Sequence, residues 1–192
     1  FGQCWAYYWK LDFNLDPGLG CNAPGHDHGP GDGLAKHYQG LYAVLDRLRR
    51  RFPDLVIENC SSGGQRLNLE MGRHTHIHFL SDPDYSTHQM HQFTEASRWF
   101  LPRQLLHFMW SNTVTTNGSA PFPSLDLEAL SPEEIRCHMR LAMLHQMGIS
   151  HRLTEYSKRT LEVMKDCLAQ YKEVIRPFVA EGTYLPLYLS EN

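Results

Sequence analysis

The sequence lacks the features that mark membrane proteins and nucleic-acid-binding proteins. No apolar run approaches the ~20 residues that a membrane-spanning helix needs. The formal net charge of −3 gives the chain no general attraction to nucleic acid or to an anionic membrane surface. We therefore expect neither nucleic acid nor a membrane among its partners.

Cysteine is also sparse. The five cysteines are scattered and form no Cys-x-x-Cys pair, so the sequence predicts neither a disulfide framework nor a zinc site.

The chain opens with Phe1 rather than Met and with no signal peptide, which we interpret as a fragment or a processed product. The compartment stays open, and the cysteine usage favours a reducing one such as the cytoplasm.

What the first half does contain is an alternation of strand-like and helix-like segments. A glycine- and proline-rich loop over 15–33 separates the first strand from a helix with one apolar face, which Pro53 ends. The predicted elements are strand 5–13, helix 34–52, strand 55–59 and strand 74–82.

The second half continues the alternation. Ser131, Pro132 and Glu134 have the spacing of a capping box with a first-turn proline, so they predict the start of a helix. The predicted elements are helix 86–101, strand 105–110, helix 131–147, a weak strand 148–153, helix 157–176 and a strand within 182–190.

This order of elements predicts the α/β class with a parallel sheet, either doubly wound or closed into a barrel. Polar residues gather after the predicted strands, as they do at the site-bearing end of a (β/α)8 TIM barrel. A whole barrel takes roughly 250 residues, so we expect the 192 residues to form a partial barrel.

The first candidate site is the end of the opening strand. Alternation along a strand sends Lys10, Asp12 and Asn14 to the same side. A nearby ammonium favours the ionised form of a carboxylate, which is the form that a glycosidase nucleophile needs. The alternative interpretation is a salt-bridged strand end on the surface.

Two further polar segments follow predicted strands. Small residues after Glu58 allow backbone N–H groups to approach a ligand, whereas Cys60 is better explained as a packed thiol and Glu58 as the partner of a lysine or arginine. Farther along, Asp84 suits a helix cap. If Asp82 lies among aromatic side chains, burial raises the pKa of its carboxyl group, and a carboxyl group that keeps its proton suits a proton donor.

Histidines raise a metal hypothesis. His74, His76 and His78 alternate on the predicted strand 74–82, and His26 and His28 lie in the glycine-rich loop. Three same-face residues of one strand span about 13 Å, which is too far for all three to bind one ion. We therefore expect no metal site.

Three segments in order resemble the motifs of glycoside hydrolase family 36, the α-galactosidase or melibiase family: WKLDFN (9–14), ENCSSGGQR (58–66) and LSDPD (80–84). The helical stretches LYAVLDRLRRRFPDL and LAQYKEVIRPFV are similar to the family as well. The resemblance implies the carboxyl-side part of the catalytic barrel, from about strand 4 to strand 8, over 1–180. It also implies that 181–192 begin a C-terminal β-domain.

The resemblance implies a retaining α-galactosidase with Asp12 as nucleophile and Asp82 as general acid/base. It implies an α-galactoside oligosaccharide as substrate and no cofactor or metal, and it leaves homo-oligomerisation of the full-length protein open. The substrate-binding residues that it suggests are Trp9, Lys10, Asn14, Cys60, Ser62 and Gly63.

The sequence departs from the family pattern at several positions. They are Leu11, Gln65, Asn68, Pro83–Tyr85 and Trp110–Asn112. These departures keep two alternatives open: another α-glycosidase, for instance one acting on an N-acetylated galactoside, or a galactosyl transferase. A third alternative is a non-catalytic carbohydrate-binding relative or an inactive fragment.

Overall fold

The structure is a computed structural model that describes residues 7–14, 18–21, 23–25, 27–29, 31–82, 86–109, 126–150 and 152–185. The chain divides into two compact units, Phe1–His78 and Phe79–Asn192. In each unit strands alternate with helices along the chain.

The first unit is built on parallel strand pairs. Its elements are β1 (Tyr8–Asp12), α1 (Gly33–Arg51), β2 (Val56–Cys60), α2 (Leu69–His74) and the first two residues of β3 (Ile77–Phe79). β1 pairs with β2 in parallel from Tyr8↔Val56 to Asp12↔Cys60. β2 pairs with β3 in parallel through Glu58↔Ile77 and Asn59↔His78.

The core of this unit lies between α1 and the strands. Its buried members are Leu45, Leu55, Ile57 and Met71, and Trp9, Leu11, Leu41, Tyr42 and Leu48 pack against them. The spacing of the leucines in α1 confirms the predicted apolar face. The helix ends where expected, since the Phe52 N–H donates to Leu48 O just before Pro53.

The second unit continues the alternation. Its elements are α3 (Ser86–Ala96), β4 (Leu105–Met109), α4 (Pro132–Ala142), β5 (Gln146–Ile149), α5 (Lys158–Gln170), a π-helical stretch (Tyr171–Ile175) and α6 (Arg176–Glu181), with short 3-10 turns at Pro102–Gln104 and Leu153–Glu155. β4 and β5 are parallel, from Leu106↔Gln146 to Met109↔Ile149. Buried residues such as Met109, Ile135, Met139 and Val163 form its core.

The predicted strand 74–82 is confirmed only over its middle three residues. His74 is the last residue of α2, and β3 covers only Ile77–Phe79. Asn68 begins this helix, because its side-chain oxygen accepts the Met71 N–H at 2.8 Å. His74, His76 and His78 therefore do not lie together on one strand.

The predicted boundaries around β5 are also wrong. α4 ends at Ala142 instead of 147, and β5 occupies 146–149 instead of 148–153. Met139, Met143 and Met147 follow an i, i+4 spacing that continues past the helix. Pairing of Gln146 with β4 prevails over that pattern.

The outer helices differ from prediction as well. α3 ends at Ala96 rather than 101, since Trp99 and Phe100 donate to Ala96 O in a turn. The helix predicted to end at 176 continues through the π-helical stretch into α6, which carries Pro177 near its start and ends at Glu181. Of the strand predicted within 182–190, residues 182–185 are not extended into a strand and 186–192 lie outside the described residues.

The α/β class is thus confirmed, with parallel strand pairs in both units. Closure of the strands into part of a barrel stays a prediction. None of the described helices combines the length and the apolar character that a bilayer crossing requires.

Candidate functional site

A charged cluster lies across the β1–β2 pair, two residues before Asp12 at the carboxyl end of β1. Lys10 pairs in register with Glu58, and its Nζ lies 3.2 Å from Glu58 Oε1. The Tyr8 hydroxyl donates a hydrogen bond to the other carboxylate oxygen of Glu58. Glu58 is only 2% exposed, so an ion pair and a hydrogen bond hold a buried carboxylate. The prediction that Glu58 partners a lysine or arginine is confirmed.

The electrostatics of this cluster favour a charged lysine. Burial by itself lowers the pKa of Lys10, but the electrostatic interactions with Cys60 and Glu58 outweigh it and raise that pKa above its ordinary value. Burial, together with the hydrogen bond to Glu58 and its charge, raises the pKa of Tyr8. Both groups therefore keep their protons at neutral pH and act as donors.

The segment after β1 and the turn after β2 are joined by hydrogen bonds. The Ser62 backbone N–H donates to Asn14 Oδ1 at 2.7 Å. Ser61 Oγ donates to Phe13 O at 2.5 Å, and the Phe13 N–H donates to Cys60 O at 3.1 Å. The structure thus brings Asn14 together with the Cys60–Gly63 turn.

The turn itself has an unusual backbone. Ser62 has a φ of 44° and Gly63 a φ of 82°, and the Ser61 N–H donates to Gly63 O at 2.9 Å. A left-handed conformation is unfavourable for a non-glycine residue, and the hydrogen bonds around Ser62 hold it there. The sequence offered two glycines as a signal of a turn, but not the conformation of Ser62.

Two further residues support the turn, and sequence reasoning did not identify them. Asn59 donates through Nδ2 to Arg66 O and contacts His78 Nδ1, each at 3.2 Å. The guanidinium carbon of Arg66 lies 4.5 Å from the centre of the Phe13 ring. Burial lowers the pKa of His78 to about 4, so its ring stays neutral beneath the turn.

Cys60 and Trp9 are placed differently from the polar residues. Cys60 is fully buried, in agreement with the interpretation of a packed thiol. Trp9 packs against the apolar cluster between β1 and α1, on the strand face opposite to Lys10 and Asp12. A sugar-binding role for either residue stays a prediction.

Asp82 belongs to the second unit. It follows β3 and is partly buried, and the preceding Ser81 shares a hydrogen bond of 3.0 Å with Nε2 of His88. The predicted helix cap Asp84 and the segment 110–125 lie outside the described residues. The two predicted catalytic acids therefore come from different compact units, Asp12 from the first and Asp82 from the second.

Metal ligands do not gather in the part of the chain that the structure describes, where no group of three or more His, Cys, Asp or Glu side chains is arranged to hold an ion. His74 instead bonds to carboxylates on two helices, with Nδ1 2.7 Å from Asp46 and Nε2 3.2 Å from Glu70.

Comparison with known proteins supplies a family. The profile of the Melibiase family matches residues 24–182. Alpha-galactosidase 2 of Pediococcus pentosaceus is 28% identical over 145 residues, covering 76% of this chain and 18% of that protein. An α-galactosidase of Escherichia coli is 46% identical over 42 residues, covering 22% of this chain and 6% of that protein.

Solved structures show the same fold. The glycoside hydrolase family 36 α-galactosidase AgaA from Geobacillus stearothermophilus has a TM-score of 0.72 at 22% identity, covering 92% of this chain and 23% of that protein. Variants of that enzyme have been solved with raffinose and with stachyose. This chain therefore spans less than a quarter of the length of these relatives.

Proposed function

Because this chain belongs to the Melibiase family, we propose that it supplies the catalytic acids of an enzyme that hydrolyses terminal α-galactosides with retention of configuration. Asp12 is the proposed nucleophile and Asp82 the proposed general acid/base. Lys10, Asn14 and the Cys60–Gly63 turn are proposed to contact the hydroxyls of the sugar. Neither a metal nor an organic cofactor takes part in this proposal.

The observation that carries the proposal is the docking of the turn after β2 onto the end of β1. The bond from the Ser62 N–H to Asn14 Oδ1 fixes two motif segments that are 48 residues apart. Lys10, itself held by Glu58, shares this strand end with Asp12. A fixed cation, a carboxylate and a tight turn at one strand end suit recognition of a polyhydroxylated ring.

In the proposed reaction the carboxylate of Asp12 attacks the anomeric carbon and forms a covalent glycosyl ester. Asp82 gives its proton to the leaving oxygen as the glycosidic bond breaks. Asp82 then takes a proton from water, whose oxygen attacks the anomeric carbon and releases Asp12. Two inversions at that carbon leave the sugar in its original configuration.

The named relatives support galactose as the sugar. The similar curated proteins are α-galactosidases, and variants of AgaA were solved with raffinose and stachyose. A panel of nitrophenyl α-glycosides, assayed on the protein as it is encoded, tests the choice of sugar. We expect the α-galactoside to be hydrolysed fastest. A preference for an N-acetylated galactoside or for transfer to a second sugar would replace this part of the proposal.

The nucleophile has its own test. Asp12→Ala should lower turnover of nitrophenyl α-galactoside by a factor on the order of 10⁴ or more, because the covalent route is lost. Azide should restore turnover and give the β-galactosyl azide, since it attacks opposite the leaving group. Asp54→Ala, which removes an exposed carboxylate in the turn before β2, is the control and should keep activity. Substantial turnover by Asp12→Ala without azide contradicts the assignment.

A further inference from the structure

Glu58 is a buried carboxylate of the first unit that the proposed reaction does not use. It lies within β2, its side chain is 3% exposed, and it faces Lys10 across the parallel β1–β2 pair. Lys10 is 31% exposed, so the ammonium lies between the buried carboxylate and the surface. The ion pair therefore extends from a buried carboxylate to an ammonium group two residues before Asp12 on β1.

A buried carboxylate is stable only when donors satisfy its oxygens. Glu58 has one partner at each oxygen: the Lys10 ammonium forms an ion pair with Oε1, and the Tyr8 hydroxyl donates a hydrogen bond to Oε2. All three residues belong to the same strand pair, and Tyr8 and Lys10 point to the same side of β1. The carboxylate is therefore held in one orientation, and it holds the ammonium in turn.

We propose that Glu58 is a positioning residue that fixes the Lys10 ammonium at the end of β1, with the Tyr8 hydroxyl fixing Glu58. This inference rests on the proposed function, because the position of Lys10 matters only if it meets the sugar beside Asp12. Without Glu58, the flexible Lys10 side chain is drawn toward the carboxylate of Asp12, two residues farther along the same face. Glu58 thus holds the Lys10 ammonium where it can contact the sugar hydroxyls. It also prevents an ion pair between Lys10 and Asp12, so that the Asp12 carboxylate can attack the anomeric carbon.

The test is a double-mutant cycle with Glu58→Gln and Lys10→Met, measured as kcat and KM on nitrophenyl α-galactoside. Gln keeps the shape of Glu58 but removes its charge. Glu58→Gln should lower kcat/KM by about 10- to 100-fold, as expected for misplacement of a positioning group. In the Lys10→Met background the same change should cost less than about threefold, since there is no ammonium left to position.

A purely structural role for Glu58 predicts a different result. Its removal would then lower kcat/KM by the same factor with and without Lys10, and this additive result overturns the proposal. Tyr8→Phe should give a smaller loss in the same direction, because it frees one oxygen of Glu58. Glu70→Gln, which removes the charge that pairs with Arg73 and His74 in the same unit, is the matched control and should leave kcat/KM unchanged.

A second readout separates positioning from loss of folding. Thermal unfolding of each variant should show that Glu58→Gln remains folded at the assay temperature. If it is unfolded, Glu58→Asp provides the cycle instead, because it keeps the charge and shortens the reach to Lys10. If the unchanged protein does not hydrolyse the α-galactoside, the proposed function fails. If it does and the cycle is additive, only the role of Glu58 fails.

Discussion

At the scale of single residues, two buried histidines of the second unit form a chain whose protonation can be derived. His145 Nδ1 lies 2.8 Å from the Gln146 carbonyl oxygen, which can only accept, so the ring proton of His145 is on Nδ1. His145 Nε2 then accepts from His107 Nδ1 at 2.8 Å. Both rings are neutral in this arrangement, and both are 0% exposed.

This pair makes stability depend on pH. Burial is the main cause that lowers the pKa of His145 to about 4 and that of His107 to about 2. The unfolded chain therefore binds more protons than the folded one below about pH 6.5, and stability is lost as pH falls from there toward 4. Each ring contributes a slope of up to about 1.4 kcal/mol per pH unit. Denaturant unfolding between pH 7 and pH 5 measures it.

A variant of His145 tests whether the histidine pair causes the pH dependence of the unfolding free energy. His145→Gln should reduce the pH dependence of the unfolding free energy in this range, because one titrating ring is gone. Phe93→Leu is the control, since it removes a ring packed 5.4 Å from His145 but no titrating group. It should lower stability at every pH without changing the slope. An unchanged slope in His145→Gln contradicts the role of the pair.

Strand alternation was enough to predict that Lys10 and Asp12 share a face, because side chains two residues apart along a strand point to the same side. The sequence also suggested a lysine or arginine as the partner of Glu58, but not which one. The contacts of Tyr8, Asn59 and His145 could not be predicted in this way. Each depends on a partner 7 to 50 residues away that only the folded chain brings near.

At the scale of secondary-structure elements, local signals decided which predictions held. The N-terminus of α4 was readable because the capping box lies within four residues: the Ser131 N–H donates to Glu134 Oε2 at 2.8 Å, and Ser131 Oγ accepts the Glu134 N–H at 3.3 Å. α2 was missed because it has only six residues and a single cap at Asn68. The end of α4 was misplaced because a helical spacing of methionines continued into a strand.

The capping box of α4 gives a quantitative test. Ser131→Ala removes the acceptor for the Glu134 N–H and should lower the unfolding free energy by about 1 kcal/mol. Ser131→Asp is the matched control and should retain most of the stability, since aspartate also caps helices and its charge is favourable at a helix N-terminus. Urea unfolding of both variants measures the difference. Equal losses in Ala and Asp would show that the cap contributes nothing.

At the scale of the whole molecule, the proposal assigns one catalytic acid to each compact unit. Asp12 lies in Phe1–His78 and Asp82 in Phe79–Asn192. The order of the three motif segments could be recognised along the sequence because each segment is short and continuous. The joint action of two acids 70 positions apart could not be predicted from their spacing in the sequence, because the distance between their side chains depends on the fold. Kinetic measurements on variants must test it.

Asp82→Asn tests that cooperation. If Asp82 protonates the leaving oxygen, its loss should slow methyl α-galactoside by a factor on the order of 10² to 10⁴ more than nitrophenyl α-galactoside, whose leaving group needs no proton. With the nitrophenyl substrate, added azide should attack the ester on Asp12 and give the α-galactosyl azide. That configuration is opposite to the product of Asp12→Ala, because the ester intermediate has already inverted the anomeric carbon once. Asp84→Asn, two residues away, is the control and should affect both substrates by one factor. Equal losses for the two substrates in Asp82→Asn, or a β-galactosyl azide, would show that Asp12 and Asp82 do not act as nucleophile and acid/base.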